Sequence, residues 1–212
     1  PADPTGSVDF DGSGDYLSVT HSDLALGTGD FTLEFWAYSD TRDPSLDTVF
    51  ESRSDTGSTS DGFIVGRFHT SGNDVYRVYT AGDFRLTADT TVANDVWVHV
   101  AVVRQSGTTK LYLDGVAQST TYTDSNDYSN TSIRIGATAL SFNEFDGRIS
   151  NLRLVKGTAL YTSNFTVPNK IDNITNTVLL CCSSSSSVTA ESTGKTINTI
   201  GNPTPSRDNP GF

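Results

Sequence analysis

Of the 25 acidic residues in this chain only four are glutamates (Glu34, Glu51, Glu144 and Glu191), which leaves 21 aspartates. Aspartate starts turns where glutamate extends helices, so the acids point to many chain reversals and little helix. Methionine is absent, and no window carries the apolar i, i+3, i+4 stripe of an amphipathic helix. The chain offers instead short alternating runs separated by Gly, Asp, Asn and Ser clusters. Strands are expected at 7–10, 16–20, 31–38, 48–53, 62–68, 75–80, 84–87, 96–104, 110–113, 116–120, 132–136, 147–155, 178–182 and 196–200. One open sheet does not carry that many strands without curling. The fold class is therefore all-β, with two antiparallel sheets packed as a sandwich.

Alternation also assigns faces. In the run 31–38, Phe31, Leu33 and Phe35 are uniformly apolar and belong to the core, whereas Thr32, Glu34, Trp36 and Tyr38 are amphipathic and face outward. In 96–103 the even positions are all valine, while Trp97, His99 and Ala101 share the other face. A strand apolar on both faces sits centrally or beneath a crossing loop. Asp114-Gly115 favours a tight hairpin turn, and with the turn at 105–109 it makes a three-stranded meander over 96–120. The expected core comprises Phe10, Phe31, Leu33, Phe35, Val98, Val100, Val102, Leu111, Leu113, Ile133, Ile135, Ile149, Leu152 and Leu154.

After Pro168 the composition shifts to Asn, Ser and Thr, with a serine run at 183–187. Val178, Leu179, Leu180, Ile197 and Ile200 still read as final strands around a serine-rich loop. No self-similarity with a 20–50 residue period appears, which argues against a solenoid or propeller. One sandwich domain over 1–212 is expected, closed by adjacent strands near Val8 and Ile197, with 201–212 as an extended C-terminal arm.

A net charge of −11 repels a phosphate backbone over most of the surface, so nucleic acid is not an expected partner. The longest apolar run is interrupted by His99 and falls far short of the roughly 20 residues of a spanning helix, so no membrane insertion is expected. No secretion leader is visible; Pro1 fits either a start trimmed of its initiator methionine or a cut chain. Cys181 and Cys182 are adjacent, closer than ordinary disulfide geometry favours, and are expected as free thiols.

Six short motifs follow in order: Phe10-Asp11-Gly12-Ser13-Gly14-Asp15-Tyr16-Leu17, Asp30-Phe31-Thr32-Leu33-Glu34-Phe35-Trp36, Trp97-Val98-His99-Val100-Ala101, Leu111-Tyr112-Leu113-Asp114-Gly115, Ile135-Gly136 and Phe145-Asp146-Gly147-Arg148-Ile149. In order and spacing they resemble the laminin G-like, or concanavalin A-like, jelly-roll family over about residues 7–161. The stretch 152–168, with Thr177-Val178-Leu179-Leu180-Cys181-Cys182 and an Asn-Pro-Gly-Phe end, is similar to laminin G-like modules in structural proteins of tailed, especially marine, phages. The serine run departs from the Gln/Asn-rich stretch usual there. The resemblance implies a non-catalytic virion protein, decorating the capsid or forming part of a tail or fibre, located in the virion after synthesis in the host cytoplasm. A secreted, extracellular lectin-like module is the alternative.

A glucan hydrolase on this fold needs a pair of carboxylates. Glu144-Phe145-Asp146 is the near match, but Gly147 and Arg148 stand where the partner glutamate is needed. His21, His69 and His99 have no His or Cys neighbour at zinc-ligand spacing, and there is no Gly-x-Ser-x-Gly elbow. His99 is expected to bond a neighbouring strand or loop. No cofactor is required; the resemblance makes calcium the candidate ion, with Asp30, Asn143 and Asp146 as its ligands and an Asx-turn role as the competing reading. A glycan platform needs exposed rings flanked by polar groups. Trp36 with Tyr38, and Tyr76 with Tyr79, are the candidates, with Arg77 and Arg85 beside them; Tyr122 with Tyr128 is a further pair. Expected partners are other virion proteins or further copies of the chain, and surface glycans. The ends 1–6 and 201–212, with Phe212 as an apolar anchor, are the expected contacts.

Overall fold

The computed structural model describes residues 6–40, 46–54, 60–70, 72–139 and 143–211. Its strands are β1 (Ser7–Asp11), β2 (Tyr16–Thr20), β3 (Phe31–Ser39), β4 (Leu46–Glu51), β5 (Ile64–Thr70), β6 (Asn73–Thr80), β7 (Asp83–Thr87) and β8 (Trp97–Gln105). They continue with β9 (Thr108–Leu113), β10 (Val116–Thr123), β11 (Ser132–Ile135), β12 (Asp146–Lys156), β13 (Thr177–Cys181), β14 (Asn198–Ile200) and β15 (Thr204–Ser206). Two antiparallel sheets form the expected jelly-roll sandwich. The eight-stranded sheet runs β10-β9-β8-β3-β12-β1-β15, with β13 also paired to β12; the seven-stranded sheet runs β14-β2-β11-β4-β5-β6-β7. No helix among the described residues is long and apolar enough to cross a membrane.

Every residue expected in the core is buried, and all belong to one apolar cluster that extends from Val8 to Ile197. The double-faced apolar character of β8 has both anticipated causes. It lies centrally, between β3 and β9, and its outer face is crossed by a strap, residues 157–176, that links β12 to β13. Ala101, Val103 and Tyr112 on that face form a second buried cluster against Ala159, Tyr161 and Phe165 of the strap. The strap is fastened by the backbone: Phe165 N donates to Gly115 O at 2.9 Å, and Leu160 N to Thr32 Oγ1 at 2.9 Å. Gly115 has φ +79°, and a Cβ there would lie 2.1 Å from Phe165 O, so the hairpin turn and the strap both require glycine.

The long β12 changes partner part-way. Its first half pairs with β1 and its second with β13, the switch falling at a bulge where Asn151 takes φ +52°.

Closure differs from expectation. The strand near Ile197 is β14, which pairs with β2 rather than β1; the partner of β1 is β15, with Pro205 opposite Val8. The expected arm is thus in part a strand. Proline has no N–H to give, and β15 tolerates Pro205 because it is an edge strand. Asp208 fixes the chain just beyond β15: its carbonyl accepts from Ser7 Oγ at 2.6 Å and its carboxylate lies 3.3 Å from Arg148. Of the ends expected to make contacts, 1–5 and Phe212 lie outside the described residues. Both cysteines are free and buried, their sulfurs 3.7 Å apart.

Candidate functional site

On β6, Tyr76, Val78 and Thr80 are buried, so alternation turns Arg77 and Tyr79 to the outer face of the seven-stranded sheet. Cross-strand register carries that face across the sheet. Tyr79 stands opposite Ile64, Ile64 opposite Glu51, Glu51 opposite Arg134, and Arg134 opposite Ser18, beside Tyr16. The result is a band of alternating rings and guanidiniums. Arg134 lies 5.1 Å over Tyr16, Arg53 5.1 Å over Tyr79, and Arg77 3.6 Å over Phe84 and 5.6 Å over Phe68. Phe84 meets Tyr79 and Phe68 edge-on, at 5.2 and 4.6 Å. From β2 to β7 the band crosses six strands, about 24 Å at the usual interstrand spacing.

Most of the band's hydrogen-bonding capacity is spent within the protein. Glu51 Oε1 accepts from Arg53 Nε at 2.7 Å, its Oε2 accepts from the Ala139 amide, and burial pushes its carboxyl up despite Arg53. Arg134 Nη1 donates to the carbonyls of Thr138, at 2.9 Å, and Ala139. Arg77 is held by its Nε, which donates to Thr87 Oγ1 at 3.1 Å. Burial lowers its pKa, so part of its hydration is already lost.

The structure distributes the predicted glycan residues over several places. Arg77 and Tyr79 come together in the band. Tyr76 does not: it is 1% exposed, its ring tilted against Phe35 in the core, and it offers no platform. Three residues apart on a strand, Tyr76 and Tyr79 must face opposite ways. Arg85 occupies a bulge between β6 and β7 and turns back on the chain, donating to the carbonyls of Thr80 and Ala81 with its guanidinium 5.4 Å over Tyr122. Tyr128 is buried and bonds Asp124. Trp36 and Tyr38 lie on the outer face of the other sheet. Trp36 meets His99 edge-on, and Tyr38 sits between Trp97, at 5.5 Å, and the Arg148 guanidinium, at 4.8 Å.

That second face also holds a buried ionic cluster that sequence reasoning did not assemble. Glu34 Oε1 accepts from Arg153 Nε at 2.9 Å and from Arg153 Nη2, while Oε2 accepts from Tyr161 Oη at 2.8 Å and lies 3.2 Å from His99 Nε2. The bond of His99 to a neighbouring strand was expected; the arginine and the tyrosine were not. Burial alone would raise the Glu34 pKa, but the bonds from His99 and the charge of Arg153 outweigh it and hold the carboxyl below its ordinary value. A cleft of about 350 Å³ opens beside this cluster, lined by Arg153, Tyr161 and Lys170 among others.

The predicted calcium ligands do not come together. Asp30 precedes β3, whereas Asp40, just beyond its other end, donates its amide to Asp146 O at 3.1 Å. Nine strand residues place these carboxylates about 30 Å apart. Asp30 Oδ1 accepts from Ser106 N at 2.7 Å, and Asn143, at φ +57°, accepts with its backbone carbonyl from Thr48 N; both bonds tie segments distant in sequence and neither is an Asx turn. Among the described residues no group of three or more His, Cys, Asp or Glu side chains is placed to hold a metal ion. In the Glu144-Phe145-Asp146 trio Phe145 is fully buried. Glu34 and Glu51 lie on opposite outer faces, each bound by an arginine.

Residues 11–161 match the family model described as Concanavalin A-like lectin/glucanases superfamily. No curated protein sequence matches the chain significantly. The fold is similar to that of a Bacteroides ovatus protein provisionally described as carbohydrate binding, with a TM-score of 0.66 and 16% identity over 97% of this chain and 60% of that one. It is similar to the native heptameric SAP-like pentraxin from Limulus polyphemus, with a TM-score of 0.62 and 12% identity over 93% of this chain and 95% of that one. It also resembles the enzymatically active domain of tailspike protein 2 of bacteriophage CBA120, with a TM-score of 0.58 and 13% identity over 80% of this chain and 28% of that one. At such identities the likeness is one of fold. The chain spans less than two thirds of the Bacteroides and tailspike chains.

Proposed function

The chain belongs to the Concanavalin A-like lectin/glucanases superfamily, and from that premise we propose that it is a non-catalytic saccharide-binding protein of a tailed-phage particle. The observation that carries the reading is the band on the outer face of the seven-stranded sheet. Rings there supply the apolar surface against which sugar C–H faces rest, and Arg77 supplies a donor for hydroxyl or acid oxygens. The particle setting, on a capsid or in a tail or fibre, is supported by the sequence resemblance of 152–182 to phage modules and by the tailspike fold. A glycan array probed with the full chain tests the first part. Binding is expected to persist in a chelator, because the band contains no metal-ligand set, and to be lost on Tyr79→Ala. An array without hits overturns saccharide binding. Mass spectrometry of purified particles tests the second, and particles lacking the protein overturn it. The pentraxin likeness supports the second reading, an extracellular lectin; binding without any particle association favours it.

A further inference from the structure

We propose that the saccharide taken by the band is an acidic one, its carboxylate or sulfate seated on the free edge of the Arg77 guanidinium. This rests on the saccharide-binding reading above and narrows it to a ligand class.

Ligand class depends on which donors the protein has left unused. Three arginines lie in the band. Arg53 is committed to Glu51 through both Nε and Nη2. Arg134 directs Nη1 to the carbonyls of Thr138 and Ala139. Arg77 alone of the three bonds only through Nε, to Thr87 Oγ1, and among the described residues its two Nη atoms have no protein partner. The rest of the side chain is fixed: Phe84 lies beneath the guanidinium plane at 3.6 Å, and Phe68 flanks it at 5.6 Å. A guanidinium held at Nε and stacked on a ring presents its Nη pair as a planar fork already ordered for binding. That fork matches two oxygens of one carboxylate or sulfate, whereas a sugar hydroxyl satisfies only one arm.

Competing charge is accounted for locally. Glu51, the carboxylate in the band, belongs to Arg53. Asp83 acts on Arg77 by charge but is turned toward Arg85 at 3.7 Å. The net charge of −11 is spread over the surface and screened within about 8 Å at physiological ionic strength, so the fork decides at contact distance.

The test uses matched probes in which the carboxylate is blocked and the sugar kept: oligogalacturonate against its full methyl ester, and sialyllactose against its sialic acid methyl ester. These are titrated calorimetrically into the full chain after an array of neutral, carboxylated and sulfated glycans. Acidic glycans are expected to lead the array, and the acidic member of a pair that binds to be at least about tenfold tighter than its neutral twin. Arg77→Gln should bring the two to the same level with the far-UV spectrum unchanged, and Arg77→Lys, which keeps the charge without the fork, should recover only part of the preference. Should Arg77→Gln fold poorly, the esterified and unesterified probes still decide on the unaltered chain. Hits led by neutral glycans, or equal affinity within the pairs, overturn the acidic class and leave saccharide binding standing. An array with no hits at all overturns both.

Discussion

Replacing Glu34 by Gln keeps the shape of the side chain and removes its charge from a fully buried position. All the groups that meet it are donors: Arg153 at one oxygen, Tyr161 and His99 at the other. An amide can keep its oxygen on Arg153 and turn its NH2 toward the Tyr161 hydroxyl, which can also accept, so the substitution removes the charge and leaves the hydrogen bonds a geometry to occupy. Arg153 would keep neutral acceptors, the amide oxygen and the Asp172 carbonyl, the latter at 2.6 Å, but no counter-charge. Leaving one member of a buried ion pair without its counter-charge costs about 3–5 kcal/mol. The cleft beside Arg153 admits water, so the lower end applies, about 3 kcal/mol. At about 2–4 °C per kcal/mol for a chain of this size, the melting temperature should fall by roughly 6–12 °C. Urea denaturation and calorimetry at pH 7 measure this, and amide exchange locates it: the strap should lose protection before the seven-stranded sheet does. Glu34→Leu with Arg153→Met should recover most of the loss, since removing both charges leaves neither unpaired. The pH profile follows in sign. A carboxyl held below its ordinary 4.5 stabilises the fold while ionised. That contribution is complete above the ordinary value and is lost as pH falls through the lower folded value, so the gap between the parent and Glu34→Gln should close in acid. A loss under about 1 kcal/mol at pH 7, the worth of a surface pair, would refute the cluster as the strap's anchor.

Gly115→Ala should cost about 1–3 kcal/mol, because the added methyl meets the Phe165 carbonyl in a positive-φ turn; unchanged denaturation would show that the strap moves aside freely. Removing residues 201–212 should cost about 2 kcal/mol, as β15 and the Asp208 contacts go with them. A truncated chain of unaltered stability, measured in urea, would make that segment a mere passenger.

The strands and core were legible because they obey local rules. Phe31, Leu33 and Phe35 announce a buried face by period two alone, and Asp114-Gly115 announces a turn from two residues. The band and the cluster were not, because their members are joined by register rather than by sequence. Glu34 meets Arg153 across 119 positions, and no local pattern specifies that β3 and β12 lie side by side. Tyr76 failed for a different reason. In 75–80 every residue but Arg77 and Thr80 is apolar or aromatic, so both phases of the alternation look buried. Strict parity separates Tyr76 from the Arg77–Tyr79 pair and could have been applied. β15 was hidden by Pro203 and Pro205, which demote a strand wherever an edge position is not foreseen.

The route of residues 198–206, which lines β14 on the edge of one sheet and then β15 on the edge of the other, governs the order of assembly. β1 and β2 leave the ribosome well before residues 198–206, yet each receives its outer neighbour from that later segment. Until residues 198–206 emerge, both strands present an unpaired edge to whatever is nearby, the condition under which nascent chains pair with one another. Contacts between segments nearly the whole chain apart are also the slowest to close, because the entropy of the intervening loop must be lost first. Sealing of this margin therefore comes late in folding, on both sheets at once.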